Sequence, residues 1–182
     1  VCSSDLSEVN FGQQADIAQD GVYVGGSRVE AGDNTLSSTS LTLTDKNFKG
    51  ELNAGSVAVG SGVKATVNNA AINISGGSFD GTDIESSDPF PIRGGGIAIN
   101  GGESNVDNSS ITISNTTLNN TTVWAGGVVV DYDGGKAHTG TSIIDITGTQ
   151  ASGVNIYGGS DGGSVGTSTI NVKDSSVSYI FA

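Results

Sequence analysis

The chain has 182 residues, with 7 Lys and Arg against 19 Asp and Glu, a formal net charge of −12, and 29 Gly but only 2 Pro. This balance excludes nucleic-acid binding through a basic surface, because phosphate contacts need clustered Lys and Arg. No run of about 18 to 20 apolar residues occurs, so no segment is predicted to cross a membrane as a helix. Aromatic residues make up only 5% of the chain, which suits stacked coils with an interior of Val, Ile, Leu and Ala better than a compact globule.

The chain opens with VCSSDL, residues 1–6, which fits no repeat. One reading frame of a common sequencing-adapter end would encode the same residues, so we interpret them as non-native and Cys2 as an artefact. The alternative is that they are a genuine linker. Residues 7–182 then form a single repeat domain. Without a native cysteine we expect no disulfide and no zinc site of the Cys type.

The main repeat is an alternating apolar pair followed by a third apolar residue, seven positions after the first. Alternation of apolar and polar residues is the period of a half-buried strand. The gap before the third residue leaves room for a tight corner. The five copies are Leu41 and Leu43 with Phe48, Ile72 and Ile74 with Phe79, Ile111 and Ile113 with Leu118, Ile144 and Ile146 with Ala151, and Ile170 and Val172 with Val177.

A second apolar triplet precedes each copy, so the predicted unit is bipartite. The variation in length falls in segments rich in Gly, Ser, Asn and Asp. Residues 176–182 resemble 153–159 and open a sixth unit, which indicates a fragment of a longer array. The triplets are Val22–Val24, Val57–Val59, Ile97–Ile99, Val128–Val130 and residues 154–156.

Residues 81–96 contain both prolines and are expected to form a loop insertion, because proline cannot donate a hydrogen bond in a strand ladder. The loop is either a tolerated insertion or a binding loop, and in the second case Phe90, Ile92 and Arg93 are the ligand-binding candidates. Trp124, the only Trp, is either a packing residue or an exposed platform for stacking sugars.

The predicted fold class is all-β, a parallel and right-handed β-helix solenoid of about five to six coils. The recurring unit and the scarcity of two-residue hairpin signals favour this fold over an antiparallel sandwich. The Gly-rich strings at 94–96 and 158–163 are interpreted as turns that need positive φ. They are not phosphate-binding loops, because neither carries Lys followed by Ser or Thr.

The repeats, as in VNIYGGSDGGSVGTSTINVKDSSVSYIF (residues 154–181), resemble those of bacterial surface proteins with β-helical passengers. These are autotransporter passenger domains and adhesin-like proteins of pectin-lyase-like shape. The resemblance lies in the style and spacing of the repeats, and it extends from about Gly21 onward. It implies a secreted or outer-membrane-associated protein at the bacterial cell surface that binds host or cell-surface macromolecules or glycans. A C-terminal translocator barrel or a wall anchor would lie beyond the sequence given.

One stretch, VVVDYDGGKAH, combines an acid pair, a Lys and the sole His. Asp131 and Asp133 would face the same side of a strand, and Lys136 and His138 follow closely. Paired carboxylates could share a cation or act as acid and base. The equivalent positions in adjacent units are not acids, which favours a solvated turn.

The sequence therefore favours a non-enzymatic, adhesin-like stalk without cofactor or metal. The alternative is a polysaccharide-cleaving lyase or glycosidase on a β-helix, with the acid pair as its catalytic candidates. A third hypothesis is a trimeric fibre.

Overall fold

The computed structural model describes residues 6–11, 22–82, 89–130 and 134–182. Every regular element in these ranges is a β-strand, and none of them contains a helix that could span a membrane. The strands are β1 Leu6–Phe11, β2 Val22–Val24, β3 Arg28–Val29, β4 Asp33–Thr44, β5 Asn47–Lys49, β6 Glu51–Asn53, β7 Val57–Val59, β8 Lys64–Ser75, β9 Ser78–Asp80, β10 Pro91–Arg93, β11 Ile97–Ile99, β12 Glu103–Ser114, β13 Thr117–Asn119, β14 Thr122–Trp124, β15 Val128–Val130, β16 Lys136–Thr147, β17 Gln150–Ser152, β18 Asn155–Tyr157, β19 Ser164–Lys173 and β20 Tyr179–Phe181.

The strands form four parallel sheets that the chain visits in a fixed order. Sheet 1 is β2-β6-β10-β14-β18-β20, sheet 2 is β3-β7-β11-β15, sheet 3 is β1-β4-β8-β12-β16-β19, and sheet 4 is β5-β9-β13-β17. From β2 to β17 the chain passes through sheets 1 to 4 and returns to sheet 1, so each circuit is one coil stacked on the previous one, and β18, β19 and β20 continue the stack in sheets 1, 3 and 1. This arrangement confirms the predicted parallel β-helix.

The predicted apolar repeat forms two ladders that run along the stack. Its first members pair in register across sheet 3, and its third members pair across sheet 4, where the Phe48 and Phe79 rings stack with centroids 5.3 Å apart. These side chains point inward and make up much of the core. The ladders are Leu41, Ile72, Ile111, Ile144 and Ile170, and Phe48, Phe79, Leu118 and Ala151.

The corner that follows the sheet 3 strands β4, β8, β12, β16 and β19 has the left-handed backbone conformation each time. Each residue there is Gly, Asn or Asp, the types that adopt positive φ most readily. This choice ends the long strand and turns the chain so that the next apolar residue points inward. The residues and their φ angles are Asp45 at 51°, Gly76 at 67°, Asn115 at 51°, Gly148 at 61° and Asp174 at 50°.

The second half of the predicted unit was wrong in one respect, because its triplets belong to two different sheets. Val22–Val24 and most of 154–156 lie in sheet 1, whereas the other three triplets lie in sheet 2. A coil therefore has four strand segments rather than two. The remaining sheet 1 strands have a single inward apolar residue between two outward ones, so their sequences contain no apolar triplet. The inward residues are Leu52, Ile92 and Val123.

The last strand begins a further circuit, as predicted. β20 pairs with β18 in parallel, with Tyr179 opposite Asn155 and Phe181 opposite Tyr157. This register differs by one residue from the one that the sequence comparison indicated.

The loop expected over 81–96 is shorter in the structure. The Phe90 amide donates a hydrogen bond to the Gly81 carbonyl at 2.7 Å and closes the base of the excursion, and residues 83–88 lie outside the described ranges. Pro91 then begins β10, a position where the missing N–H is tolerated.

The turn from sheet 1 to sheet 2 consists of three small residues in each coil, and close packing between coils explains them. A Cβ built on Gly95 would lie 2.2 Å from the Gly127 amide nitrogen of the next coil. Positive φ is not the reason for Gly94–Gly96, contrary to the sequence interpretation, and within 158–163 only Gly162 adopts it. The turns are GGS at 25–27, AGS at 54–56, GGG at 94–96, AGG at 125–127 and GGS at 158–160.

We expect Gly95→Ala to destabilise the fold by about 2 to 3 kcal/mol, because the added methyl meets backbone that cannot move without shifting the next coil. Gly159→Ala is the matched control, since it occupies the same turn position and a Cβ there has no heavy atom within 4 Å. Urea unfolding of both variants measures the difference. Equal unfolding midpoints would contradict the close-packing explanation.

Candidate functional site

A groove of about 380 Å³ lies on the outside of the stack where sheet 1 turns into sheet 2. We call it the corner groove. Sheet 1 contributes two charged side chains and sheet 2 contributes mainly apolar ones, so the groove has a charged wall and an apolar wall. The lining residues are Arg28, Glu51, Arg93, Ile97, Ile99, Val128 and Val130.

The short strands place these side chains by simple alternation. The middle residues of the sheet 1 strands β6, β10, β14 and β18, such as Ile92, point inward and are fully buried, so their neighbours point outward. The same alternation in sheet 2 buries Ala98 and turns Ile97 and Ile99 toward the groove. The three-residue turn between the strands brings the two outer faces together.

Arg93 is the centre of an ionic cluster drawn from three coils. Its Nη1 donates to Glu51 Oε1 at 2.5 Å, and its Nη2 lies 3.8 Å from Asp161 Oδ2. Asn53 Nδ2 donates to the same Glu51 oxygen at 2.6 Å. The Arg93 and Glu51 side chains are only 11% and 15% exposed, whereas Asp161 is 48% exposed. The buried Arg93 and Glu51 charges neutralise each other, and Asp161 is the more exposed member of the cluster.

Trp124 lies on the outer face of sheet 1 rather than in the core. Its ring stacks on Tyr157 with centroids 4.0 Å apart and an angle of 10°, and Tyr157 stacks in turn on Phe181 at 4.8 Å. The indole Nε1 donates to Thr122 Oγ1 at 3.1 Å. The ring face toward Tyr157 is therefore covered, which favours the packing role of Trp124 over the sugar platform.

Of the loop candidates, Ile92 is in the core and offers no surface to a ligand. Phe90 is half-buried at the base of the loop, where its carbonyl accepts a hydrogen bond from Thr121 Oγ1 at 2.6 Å. Arg93 reaches the corner groove instead of a loop surface. These three residues do not form one amphipathic patch.

Asp131 and Asp133 lie outside the described residues. Lys136 and His138 are exposed on one face of β16 and line a shallow cavity of about 460 Å³ with Glu103. His138 Nδ1 lies 2.9 Å from Ser164 Oγ. No group of three or more His, Cys, Asp or Glu suited to a metal ion occurs in the part of the chain that the structure describes.

Charges of alternating sign follow one another along the first row of sheet 3. Asp33, Lys64, Glu103 and Lys136 pair in register, and Lys64 Nζ lies 2.9 Å from Glu103 Oε1. The Lys64 ammonium, with help from the Asn105 amide, holds the pKa of the Glu103 carboxyl below its ordinary value. Glu103 in turn raises the pKa of Lys64. Each partner thus stabilises the charged form of the other.

A second groove, also about 380 Å³, crosses the outer face of sheet 3 where the long strands bend. At the bend two successive residues face outward, as at Asp107 and Asn108, before alternation resumes. We call it the sheet 3 groove. Its lining carries hydroxyl, amide and aliphatic groups without a charge: Ser38, Thr39, Ser40, Asn69, Ala70, Ala71, Asn108, Ser109, Ser110, Thr141 and Ile143.

Sequence reasoning missed both grooves. Aligning the units on the small-residue turn would have placed Glu51 and Arg93 in neighbouring strands of one sheet. No sequence pattern indicated the sheet 3 groove, because Ser, Thr and Asn are common at the outward positions of strands. Comparisons with protein-family models, with curated proteins and with solved structures found no match.

We expect Glu51→Gln to destabilise the fold by about 3 kcal/mol, because it leaves a largely buried guanidinium without its main counter-charge. The control is Glu30→Gln, whose pair with Arg28 is 58% and 65% exposed and should contribute less than about 1 kcal/mol. Chemical unfolding of the two variants tests this. Equal losses would show that the Arg93 pair is no more important than a surface pair.

We expect Lys64→Met to raise the pKa of Glu103 toward its ordinary value. Since the folded pKa is lowered, the pair stabilises the protein above the unfolded pKa of Glu103, and this contribution is lost as pH falls through the folded pKa. Lys173→Met removes the same charge elsewhere and should leave Glu103 unchanged. An NMR titration of the Glu103 carboxyl carbon measures both, and an unshifted titration in Lys64→Met would refute the assignment.

Proposed function

We propose that this chain is a non-enzymatic interaction module of a secreted or outer-membrane-associated bacterial surface protein. In this proposal it is an adhesin-like stalk related in kind to autotransporter passengers. Its partners are host or cell-surface macromolecules or glycans. A translocator barrel or wall anchor would be supplied elsewhere in the protein.

The observation that carries the proposal is that the outer surfaces are built from rows of equivalent residues in successive coils. The sheet 3 groove takes one outward row from four coils, Ser38, Asn69, Asn108 and Thr141, which pair in register. Such a surface is long and repetitive rather than a single enclosed pocket. It favours many weak contacts with an extended partner, whose combined strength comes from avidity.

We expect weak binding by the single chain and much stronger binding by a multivalent form. The 182-residue chain, biotinylated at one end and displayed on tetrameric streptavidin, should bind cells or immobilised glycans about 10²-fold or more tightly than the monomer. Flow cytometry and glycan arrays measure this. Unloaded streptavidin is the control, and no binding by the tetramer to any surface tested would refute the proposal.

A polysaccharide-cleaving enzyme is the second candidate, and one observation favours it. Glu51 and Arg93 line the corner groove, and Asp161 from a third coil lies beside Arg93; such convergence of charged groups from several coils is what glycan cleavage on a β-helix requires. Release of new chain ends from a polysaccharide would support it. Loss of that activity in Asp161→Asn would assign it to the Arg93 cluster, and loss in Asp131→Asn would assign it to the acid pair that the sequence indicated.

A further inference from the structure

The sheet 3 groove has the chemistry of a surface for an uncharged polymer. Its lining residues include no acid or base, although the chain has 19 Asp and Glu. The nearest charged residues in the same strands are Asp107, next to Asn108, and Asp145, two positions after Ile143. Both are acidic and would repel a polyanion from the groove.

The polar groups of the groove are arranged in a fixed order along the stack. Asn108 Nδ2 donates to Asn69 Oδ1 at 3.3 Å, and Asn69 Nδ2 donates to the Ser37 carbonyl at 3.3 Å. These bonds hold the two amides in a ladder on the outer face. Within the described part of the chain, the hydroxyls of Ser110 and Thr141 form no hydrogen bond and can both donate and accept.

Apolar groups alternate with these polar ones. Ile143 is 41% exposed, one of few large hydrophobic side chains on this surface, and it lies in the same outward row as Ser40, Ala71 and Ser110. A sugar ring presents hydroxyl groups at its edge and C–H groups on its faces, so it matches such a mixture. The four coils that line the groove span about 14 Å, the length of a short oligosaccharide.

We propose that the sheet 3 groove binds an uncharged glycan chain lying along the axis of coil stacking. This inference rests on the proposed function and specifies its binding surface and its ligand class. The amide ladder and the free hydroxyls would bond to the glycan hydroxyl groups, and Ile143 with Ala71 would contact ring faces. Acidic glycans would be disfavoured by Asp107, Asp145 and the overall charge of −12.

The test uses the full 182-residue chain and soluble polysaccharides in affinity electrophoresis and calorimetry. The probes are neutral dextran, mannan and xyloglucan, with polygalacturonate and heparin as anionic ones. Ser110→Trp places a large ring in the groove. Thr112→Trp is the matched control, because it lies on the same strand and face but outside the groove lining.

The expected result is binding to at least one neutral polysaccharide that Ser110→Trp weakens tenfold or more and Thr112→Trp leaves within twofold, with both variants matching the parent in circular dichroism and melting temperature. Preference for the anionic probes, equal effects of the two variants, or no neutral binding would overturn the inference. If tetramers of both variants still bind cells as the parent does, the groove assignment fails while the proposed function stands. If the parent tetramer binds no surface, the proposed function itself fails.

Discussion

The parallel hydrogen bonding between successive coils is the constraint on which the rest of the structure depends. A strand in the middle of the stack has its backbone groups paired with the coil on either side, so a residue lies directly against its equivalent in the neighbouring coils. An inward row that is apolar in one coil is therefore supported by apolar neighbours above and below, as in the row of Ile72, Ile111 and Ile144. Where two backbones approach closely, as at Gly95 and Gly127, an added side chain would meet the backbone of the next coil.

The same stacking creates the outer surfaces. Like residues in one outward row become a ladder, whether of aromatic rings from Trp124 to Phe181 or of amides at Asn69 and Asn108. Charged rows must alternate in sign or spread apart, because like charges about 5 Å apart repel. The row from Asp33 to Lys136 alternates, so its neighbouring charges attract rather than repel one another across the coils.

How much of this could be predicted depended on how regularly the inward residues are spaced along the chain. Each long strand of sheet 3 has an alternating pair of inward apolar residues, and the single inward residue of sheet 4 follows at a constant distance, so Leu41 and Phe48 identified their rows from sequence. Sheet 1 has one inward residue per strand, and Ile92 alone between Pro91 and Arg93 was interpreted as part of a loop. The Glu51–Arg93 pair joins residues 42 positions apart, and its register depends on an insertion whose length the sequence pattern does not fix.

The candidate surfaces differ in how they relate to stability, and this bears on their roles. Arg93 and Glu51 are largely buried, so their mutual pairing contributes to folding, and Asp161 beside them is the exposed member of the cluster. The outward residues of the sheet 3 groove make few contacts within the protein beyond the amide ladder, so they can vary without cost to the core. Residues such as Ser110 and Thr141 can be substituted to suit a partner. The neighbouring inward residues Ile111 and Ile144 cannot, because they pack in the core. A β-helix thus separates the positions that maintain the fold from those that can recognise a ligand, residue by residue along the same strand.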